Sequence, residues 1–364
     1  MEWQASVLGF GTRCLPDDET KATRMLRYAI DHGVNYLNLP YLYNASQRED
    51  LGRFIGRALQ GGYREKIKIA AGLPAALMNF RLDFERYLNT QLQLLQIDRL
   101  DLFLIAGLDR QTWPKLPLSE VLRAAETAMA NGRLGYVGFA FHDDFQTLRT
   151  IIEAYDNWTL CQFQYSFMDI DHHPGVGGVK YAAEKGLAVV IAEPLKRGRL
   201  ACKLPRGVTE IWTGMSEYSP AARALRWVWN QPEIATVVSD MNSLEQVKEN
   251  IVLADKAAAD TLTVPEELLI NKVRDAYLKL KPITCTACRG CMPCPLGIDV
   301  PRIFELYNDA IIYNNLEIPR SIYLDEGHRI EDCNECGLCM KACGRRIPIT
   351  DWLQKARGLL TGDK

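Results

Sequence analysis

Eight of the eleven cysteines fall in two tight arrays near the C-terminus, Cys285-x2-Cys288-x2-Cys291-x2-Cys294 followed by Pro295, and Cys333-x2-Cys336-x2-Cys339-x3-Cys343. Three thiolates recurring at every third residue wrap one short turn of backbone around a cubane and reach three different irons, while a fourth comes from farther away. The spacing therefore predicts ligands for two [4Fe-4S] clusters, and with them the handling of single electrons. Zinc fits the same residues poorly, because a zinc site closes with four ligands, usually two separated C-x2-C pairs, and would leave cysteines of both arrays unused. A disulfide framework needs an oxidising compartment and usually a small, core-poor chain. Neither is suggested by 364 residues of which 48% are hydrophobic.

That length accommodates one large domain and one small one. A formal net charge of -2 gives no electrostatic case for nucleic acid or an anionic membrane surface as a partner, since both favour concentrated basic patches. The N-terminus reads MEWQASVLGFGTRCLPDD without a basic segment and apolar run, and no apolar stretch approaches ~18 residues, so a cytoplasmic location without membrane insertion is expected.

Over the first 255 or so residues, short apolar runs alternate with amphipathic stretches. Eight strands are predicted, at Val7–Phe10, Val34–Asn38, Ile67–Ala71, Leu100–Ile105, Tyr136–Ala140, Leu160–Phe163, Ala188–Ala192 and Ile234–Val238. Helical periodicity separates them, with Gly33 and Gly186 placed as left-handed stops and Ser219-Pro220 as an N-cap and first helical residue. Eight βα units in a row predict an α/β fold, a (β/α)8 TIM barrel over residues 1–260, with a small helical cluster domain over 261–364.

In such barrels, chemistry sits at the C-terminal ends of the strands. There the segments LGFGT (Leu8–Thr12), AIDHGVNYLNLPYLY (Ala29–Tyr43), REKIKIAAGLP (Arg64–Pro74), DRLDLFLIA (Asp98–Ala106), GYVGFAFHD (Gly135–Asp143), QFQYSFMD (Gln162–Asp169), AEPLKRGRLA (Ala192–Ala201) and SDMNSLEQVKEN (Ser239–Asn250) resemble, in order, the signatures of aldo/keto reductases. With the cysteines added, the chain resembles the iron–sulfur-containing branch of that superfamily. The 38 residues between Cys294 and Cys333 resemble the α-helical type of two-cluster ferredoxin. In such ferredoxins the fourth cysteine of each run ligates the other cluster. The resemblance thus implies one cluster on Cys285, Cys288, Cys291 and Cys343, and another on Cys333, Cys336, Cys339 and Cys294.

The family reduces carbonyls with hydride from NADPH, using a tyrosine acid tuned by a lysine–aspartate pair and a substrate-orienting histidine. Carried over by position, the aspartate becomes Asn38, the lysine Gly72 and the histidine Ala106, while the tyrosine persists as Tyr43. Without the flanking lysine, the phenol keeps a pKa near ~10 and is a poor acid at neutral pH. Tyr43 then reads equally well as an aromatic wall. In the nicotinamide site the carboxamide-holding pair becomes Ala140 and Phe141, while Gln162, Ser239, Glu249 and Asn250 match. Asp240, however, faces a pyrophosphate unfavourably, and Gln246 stands where many members place an arginine. The residues both support and oppose NADP or NAD.

Other groups predicted near the mouth are Cys14, His142, Asp143, His172, His173 and Glu193. His142 or His173 could serve as the acid of an altered reaction. The run Asp169 to His173 has a weak likeness to a mononuclear metal site. Two readings follow. In one, the barrel mouth binds a small-molecule substrate and the clusters exchange single electrons with it or with a bound cofactor, a ferredoxin-like carrier serving as outside partner. In the other, the barrel is catalytically retired, and the protein is an electron-transfer or assembly subunit of a larger redox complex.

Overall fold

In the computed structural model, which describes residues 4–41, 45–79, 81–171, 174–213 and 218–361, the eight apolar runs become eight strands. They are β1 (Leu8–Gly11), β2 (Tyr36–Leu39), β3 (Lys68–Pro74), β4 (Leu100–Leu108), β5 (Leu134–Phe141), β6 (Leu160–Gln164), β7 (Ala188–Ala192) and β8 (Ile234–Asp240). All neighbours are parallel, and β8 pairs back onto β1 to close the barrel. Closure satisfies the edge groups that an open sheet would expose, and cover on both faces explains why the strands read as continuous apolar runs.

Helices return the chain between strands. The first, Glu19–Asp31, starts where the Asp18 carboxylate accepts from the amides of Thr20 and Lys21, and Gly33 at φ 93° follows its end. It buries Ala22, Met25, Leu26, Ala29 and Ile30, the one-sided spacing expected of a helix lying on a barrel. The helix Pro220–Trp229 begins with the anticipated proline.

Two compact units emerge. One holds the residues up to Arg197 together with Ala221–Leu262; the other holds Gly198–Pro220 and the chain from Thr263 on. The segment Gly198–Pro220, which the sequence reading left within the barrel, contains the unforeseen helix Arg206–Trp212, and this helix packs against Val264–Lys279 of the second unit. The second unit has its own core, which includes Ile283, Ile303, Phe304, Tyr323, Ile349 and Leu353, and six of the array cysteines border it. Buried Asn308, on helix Val300–Ile312, accepts from the Ile283 amide at 2.9 Å and donates to its carbonyl at 3.0 Å, fixing the approach to the first array. Tyr323 does the same for the second, its hydroxyl accepting from the Ile330 amide at 2.9 Å.

One close approach decides a residue type. Gly11 pairs with Asp240 across the β1–β8 seam, and a Cβ there would lie 2.1 Å from Asp240 Oδ1. Gly11→Ala is expected to cost about 1–3 kcal/mol, the usual penalty for overpacking, and Gly11→Ala combined with Asp240→Ala is expected to recover most of it. Urea unfolding of the parent, the two single variants and the double variant measures the coupling; strictly additive losses would refute this account of the seam.

Candidate functional site

Strand alternation builds the floor of the mouth. Tyr36, Ala70, Leu104, Leu160, Val190 and Val238 fill the barrel interior. Two residues farther along each strand, on the same face, come Asn38, Gly72, Ala106, Gln162, Ala192 and Asp240. All six line a cavity of about 320 Å³ at the C-terminal end, together with Arg13, Tyr41, Ala140, His142, Glu193 and Arg197. A cavity at the opposite end, about 460 Å³, is bordered by the Arg64–Asp101–Lys68 ion network. That end carries stability rather than chemistry in this architecture.

Floor and rim differ in character. On the floor, Asn38 Nδ2 donates to Gln162 Oε1 at 2.7 Å, while Gly72 and Ala106 contribute no functional group. Tyr87 closes the wall behind Gly72, donating to its carbonyl at 2.7 Å. Tyr41 lies 6.2 Å from the Tyr87 ring, with the Arg48 guanidinium 4.7 Å above it. The rim is charged and internally paired. Arg197 Nε donates to Glu193 Oε1 at 3.1 Å, Gln164 Nε2 donates to Glu193 Oε2 at 3.0 Å, and the Arg13 amide donates to Asp240 Oδ1 at 3.3 Å. Glu193, Lys196 and Arg197 all have left-handed backbone, at φ 52°, 48° and 56°, strain of the kind that clusters at functional loops.

Burial pushes the Asp240 carboxyl above the ordinary carboxylate range, with Arg13 pulling the other way. Burial, and then the Asp240 charge, push the Cys14 thiol up, so it is not a nucleophile at neutral pH. For Asp143 burial also opposes ionisation, but hydrogen bonds from Arg110 outweigh it and the carboxyl titrates low.

The candidate residues sort accordingly. Asn38, His142 and Gln162 share the mouth cavity. Tyr43, His172 and His173 lie outside the described residues. Ser239 and Asn250 are buried and bonded to one another, Asn250 Nδ2 donating to Ser239 Oγ at 3.2 Å, while Glu249 is exposed on helix Leu244–Ala254. Gln246 accepts from the Asn242 amide at 3.0 Å and so closes the loop after β8. Asp143 is engaged by Arg110, and Asp169 by Lys196 at 2.6 Å, so neither is an open functional carboxylate. Cys161 is buried and Cys202 exposed. Sequence reasoning missed Arg13, Gln164 and Arg197, although all three lie within a few residues of a strand end, which was the available signal.

In the second unit the eight array cysteines surround two cavities. One is lined by Cys285, Cys288, Cys291 and Cys343, the other by Cys294, Cys333, Cys336 and Cys339, with Cys291 bordering this one as well. The backbone repeats around each middle cysteine. Ala287 and Arg289 flank Cys288 at φ 52° and 58°, and Glu335 and Gly337 flank Cys336 at φ 56° and 72°. The Ala287 amide donates to Cys285 Sγ at 3.4 Å. Among the described residues, no three of His, Cys, Asp and Glu converge on a point that would hold a single ion, as zinc requires. Cysteines standing around a space, four at one and five at the other with Cys291 shared, instead suit an iron–sulfur cluster.

Among the described residues no helix is long and apolar enough to cross a membrane. The profile of the aldo/keto reductase family matches residues 7–261, and that of a 4Fe-4S dicluster domain matches residues 284–348. The chain is 23% identical over 271 residues to the uncharacterized oxidoreductase YrpG of Bacillus subtilis, covering 64% of this chain and 82% of that protein. It is 22% identical over 308 residues to protein tas of Escherichia coli, covering 68% and 89%. Among solved structures, the holo form of aldo-keto reductase AKR11C1 from Bacillus halodurans superposes with a TM-score of 0.60 at 25% identity, over 75% of this chain and 93% of that one. A Klebsiella pneumoniae aldo-keto reductase in complex with NADPH gives a TM-score of 0.61 at 20% identity, over 74% and 91%. The closed barrel, the residues at its mouth and the paired cysteine cavities thus belong to a member of the aldo/keto reductase family, an oxidoreductase that carries a C-terminal 4Fe-4S dicluster domain.

Proposed function

We propose that this oxidoreductase works by one-electron transfer through two [4Fe-4S] clusters, to or from a small molecule at the barrel mouth, and not by the hydride-and-tyrosine carbonyl reduction of its family. The observation that carries the reading is that Cys343 of the second array lines the cavity of Cys285, Cys288 and Cys291, and Cys294 of the first array lines that of Cys333, Cys336 and Cys339, with Cys291 bordering both. Cys285, Cys288, Cys291 and Cys343 would hold one cluster, and Cys333, Cys336, Cys339 and Cys294 the other. When bound, such clusters supply reversible one-electron storage.

The barrel residues support the same reading. A general acid in the family's manner needs a cation beside its phenol, and Gly72 and Ala106 provide neither charge nor hydrogen bond. Proton delivery would fall to His142, which lines the cavity and carries an imidazole able to give or take a proton. Asn38 would orient ligands through Gln162, because its donated hydrogen bond occupies Gln162 Oε1 and leaves the amide nitrogen to face the mouth. A ferredoxin-like carrier or a redox partner subunit would serve as the external partner where no nicotinamide supplies the electrons.

Crossed ligation has a direct test. In an EPR spectrum of reduced protein, Cys343→Ser should abolish the same cluster signal as Cys288→Ser, and Cys294→Ser the same one as Cys336→Ser, each variant falling from about eight to about four irons per chain. Loss of the opposite signal in either pair would assign each array to its own cluster and refute the crossing.

The nicotinamide is the second question. Gln162 and the buried Ser239–Asn250 pair favour a dinucleotide, as does the NADPH held by the Klebsiella pneumoniae protein; Asp240 opposes it. Anaerobic titration with NADPH and then NADH, following nicotinamide oxidation and cluster absorbance together, is expected to bleach the clusters. Dithionite reduction without any bleaching by nicotinamide would leave electron supply to a protein partner.

Affinity should also vary with pH in a defined direction. An anionic ligand favours protonated Asp240, whose pKa burial raises, so binding should weaken as pH rises through that pKa. Asp240→Asn should flatten the dependence and tighten binding severalfold at neutral pH, since an opposing charge near the surface costs on the order of 1–4 kcal/mol at ~4 Å. Unchanged affinity and pH profile in the variant, read by fluorescence titration, would place the phosphates away from Asp240.

A further inference from the structure

The two cysteine arrays place their middle ligand in the same backbone frame but surround it with opposite charge. Ala287 and Arg289 flank Cys288, and Glu335 and Gly337 occupy the matching left-handed positions about Cys336. The charged residues lining the Cys285/Cys288/Cys291/Cys343 cavity are Arg289 and Arg345; the only one lining the other cavity is Glu335. Lys281 adds a third cation to the first site, its Nζ 2.9 Å from the Cys285 carbonyl oxygen.

Pairing alters the balance without reversing it. Arg289 is bonded to Asp299 at 2.9 Å, so its field is largely cancelled. Lys281 and Arg345 donate to backbone carbonyls, those of Cys285 and Thr284, and make no ion pair among the described residues. Glu335 accepts from the neutral Gln354 amide at 2.6 Å, a bond that brings no opposing charge. Asp332, exposed, stands immediately before Cys333. Cys288 and Cys336 are both exposed, so solvent screens the two sites alike and the difference in fixed charge survives.

Adding one electron makes a cluster and its four thiolates one unit more negative. Nearby cations favour that state, and nearby carboxylates oppose it. Backbone hydrogen bonds to ligand sulfur act in the same sense as a cation, but both arrays have them, from the Ala287 amide to Cys285 and from the Met340 amide to Cys339, so the charged side chains make the difference. We infer that the cluster on Cys285, Cys288, Cys291 and Cys343 has the higher reduction potential and is the resting place of the first electron, while the cluster beside Glu335 is reduced second. An electron entering beside Glu335 would therefore run downhill to the site held by Cys285, Cys288, Cys291 and Cys343. This inference rests on the two-cluster reading above.

The test is an anaerobic potentiometric titration of full-length, cluster-loaded protein with dithionite in the presence of mediators, followed by EPR and visible absorbance, on the parent, Arg345→Gln and Glu335→Gln. Two separate midpoint potentials are expected. Arg345→Gln should lower the higher one alone, Glu335→Gln should raise the lower one alone, and raising the salt concentration should narrow the gap. A common midpoint for both clusters, a shift of the lower potential in Arg345→Gln, or no shift in either variant would overturn the inference. An iron content corresponding to fewer than two clusters in the parent would instead overturn the reading beneath it. Equal iron content in all three proteins excludes cluster loss as the cause of any shift.

Discussion

Closure of the eight parallel strands is the constraint on which the rest of the barrel depends. Once β8 pairs with β1, the register of every strand is set by both neighbours, and the side chains that point inward are fixed at every second residue. A one-residue slip at the seam would turn Asp240 out of the mouth and bring Ser239 in. The layer of Tyr36, Leu104, Leu160, Val190 and Val238 is buried, with Leu104 and Val238 forming the bottom of the cavity, so the next inward layer is the first that offers a ligand polar side chains. Asn38, Gly72, Ala106, Gln162 and Asp240 are functional candidates because of their place in this alternation, whatever their chemistry.

The cluster unit solves a different problem with different means. Short loops carrying three cysteines cannot bury enough apolar surface to hold themselves, so their ends are tied to a helical core. Asn308 clamps both backbone groups of Ile283 before the first array, and Tyr323 receives the Ile330 amide before the second. Between these anchors, left-handed residues turn the chain sharply on either side of Cys288 and Cys336. Of those four positions only 337 is glycine; Ala287, Arg289 and Glu335 each bear a conformational cost of order 1 kcal/mol. A cost accepted three times in matching positions indicates that the loop shape is set by what the cysteines must surround.

What the sequence made legible follows from how local each signal is. Strands and barrel helices announced themselves through period and punctuation, and all eight strands lie where apolar runs predicted them, with ends shifted by a few residues. Cysteine spacing was equally local and equally readable. The helix Arg206–Trp212 was not, because its partner is Val264–Lys279, more than fifty residues on. Asp143 and Asp169 looked like open acids beside strand ends, yet Arg110 and Lys196 occupy them across distances that no window of sequence spans. Asn38 and Gln162, 124 residues apart, were each identified, but only the fold makes them one hydrogen-bonded pair.

The mouth that results has a floor whose charge is confined to Asp240, beneath a charge-compensated rim, and this shapes what can bind there. Replacing a lysine–aspartate pair by Gly72 and Asn38 removes two charges of opposite sign together, which leaves no uncompensated ion in a partly buried site. The surviving charges are already partnered, Glu193 with Arg197 at the rim and Asp240, in the same layer as Asn38 and Gln162, with Arg13. An incoming anion gains an arginine only by competing with a carboxylate for it, whereas an uncharged polar group can reach the Asn38–Gln162 amides without displacing anything. On the function proposed above, selectivity at this mouth would be set by exchange of ion-pair partners at the rim, and affinity for the reacting group by two amides and an apolar wall on the floor.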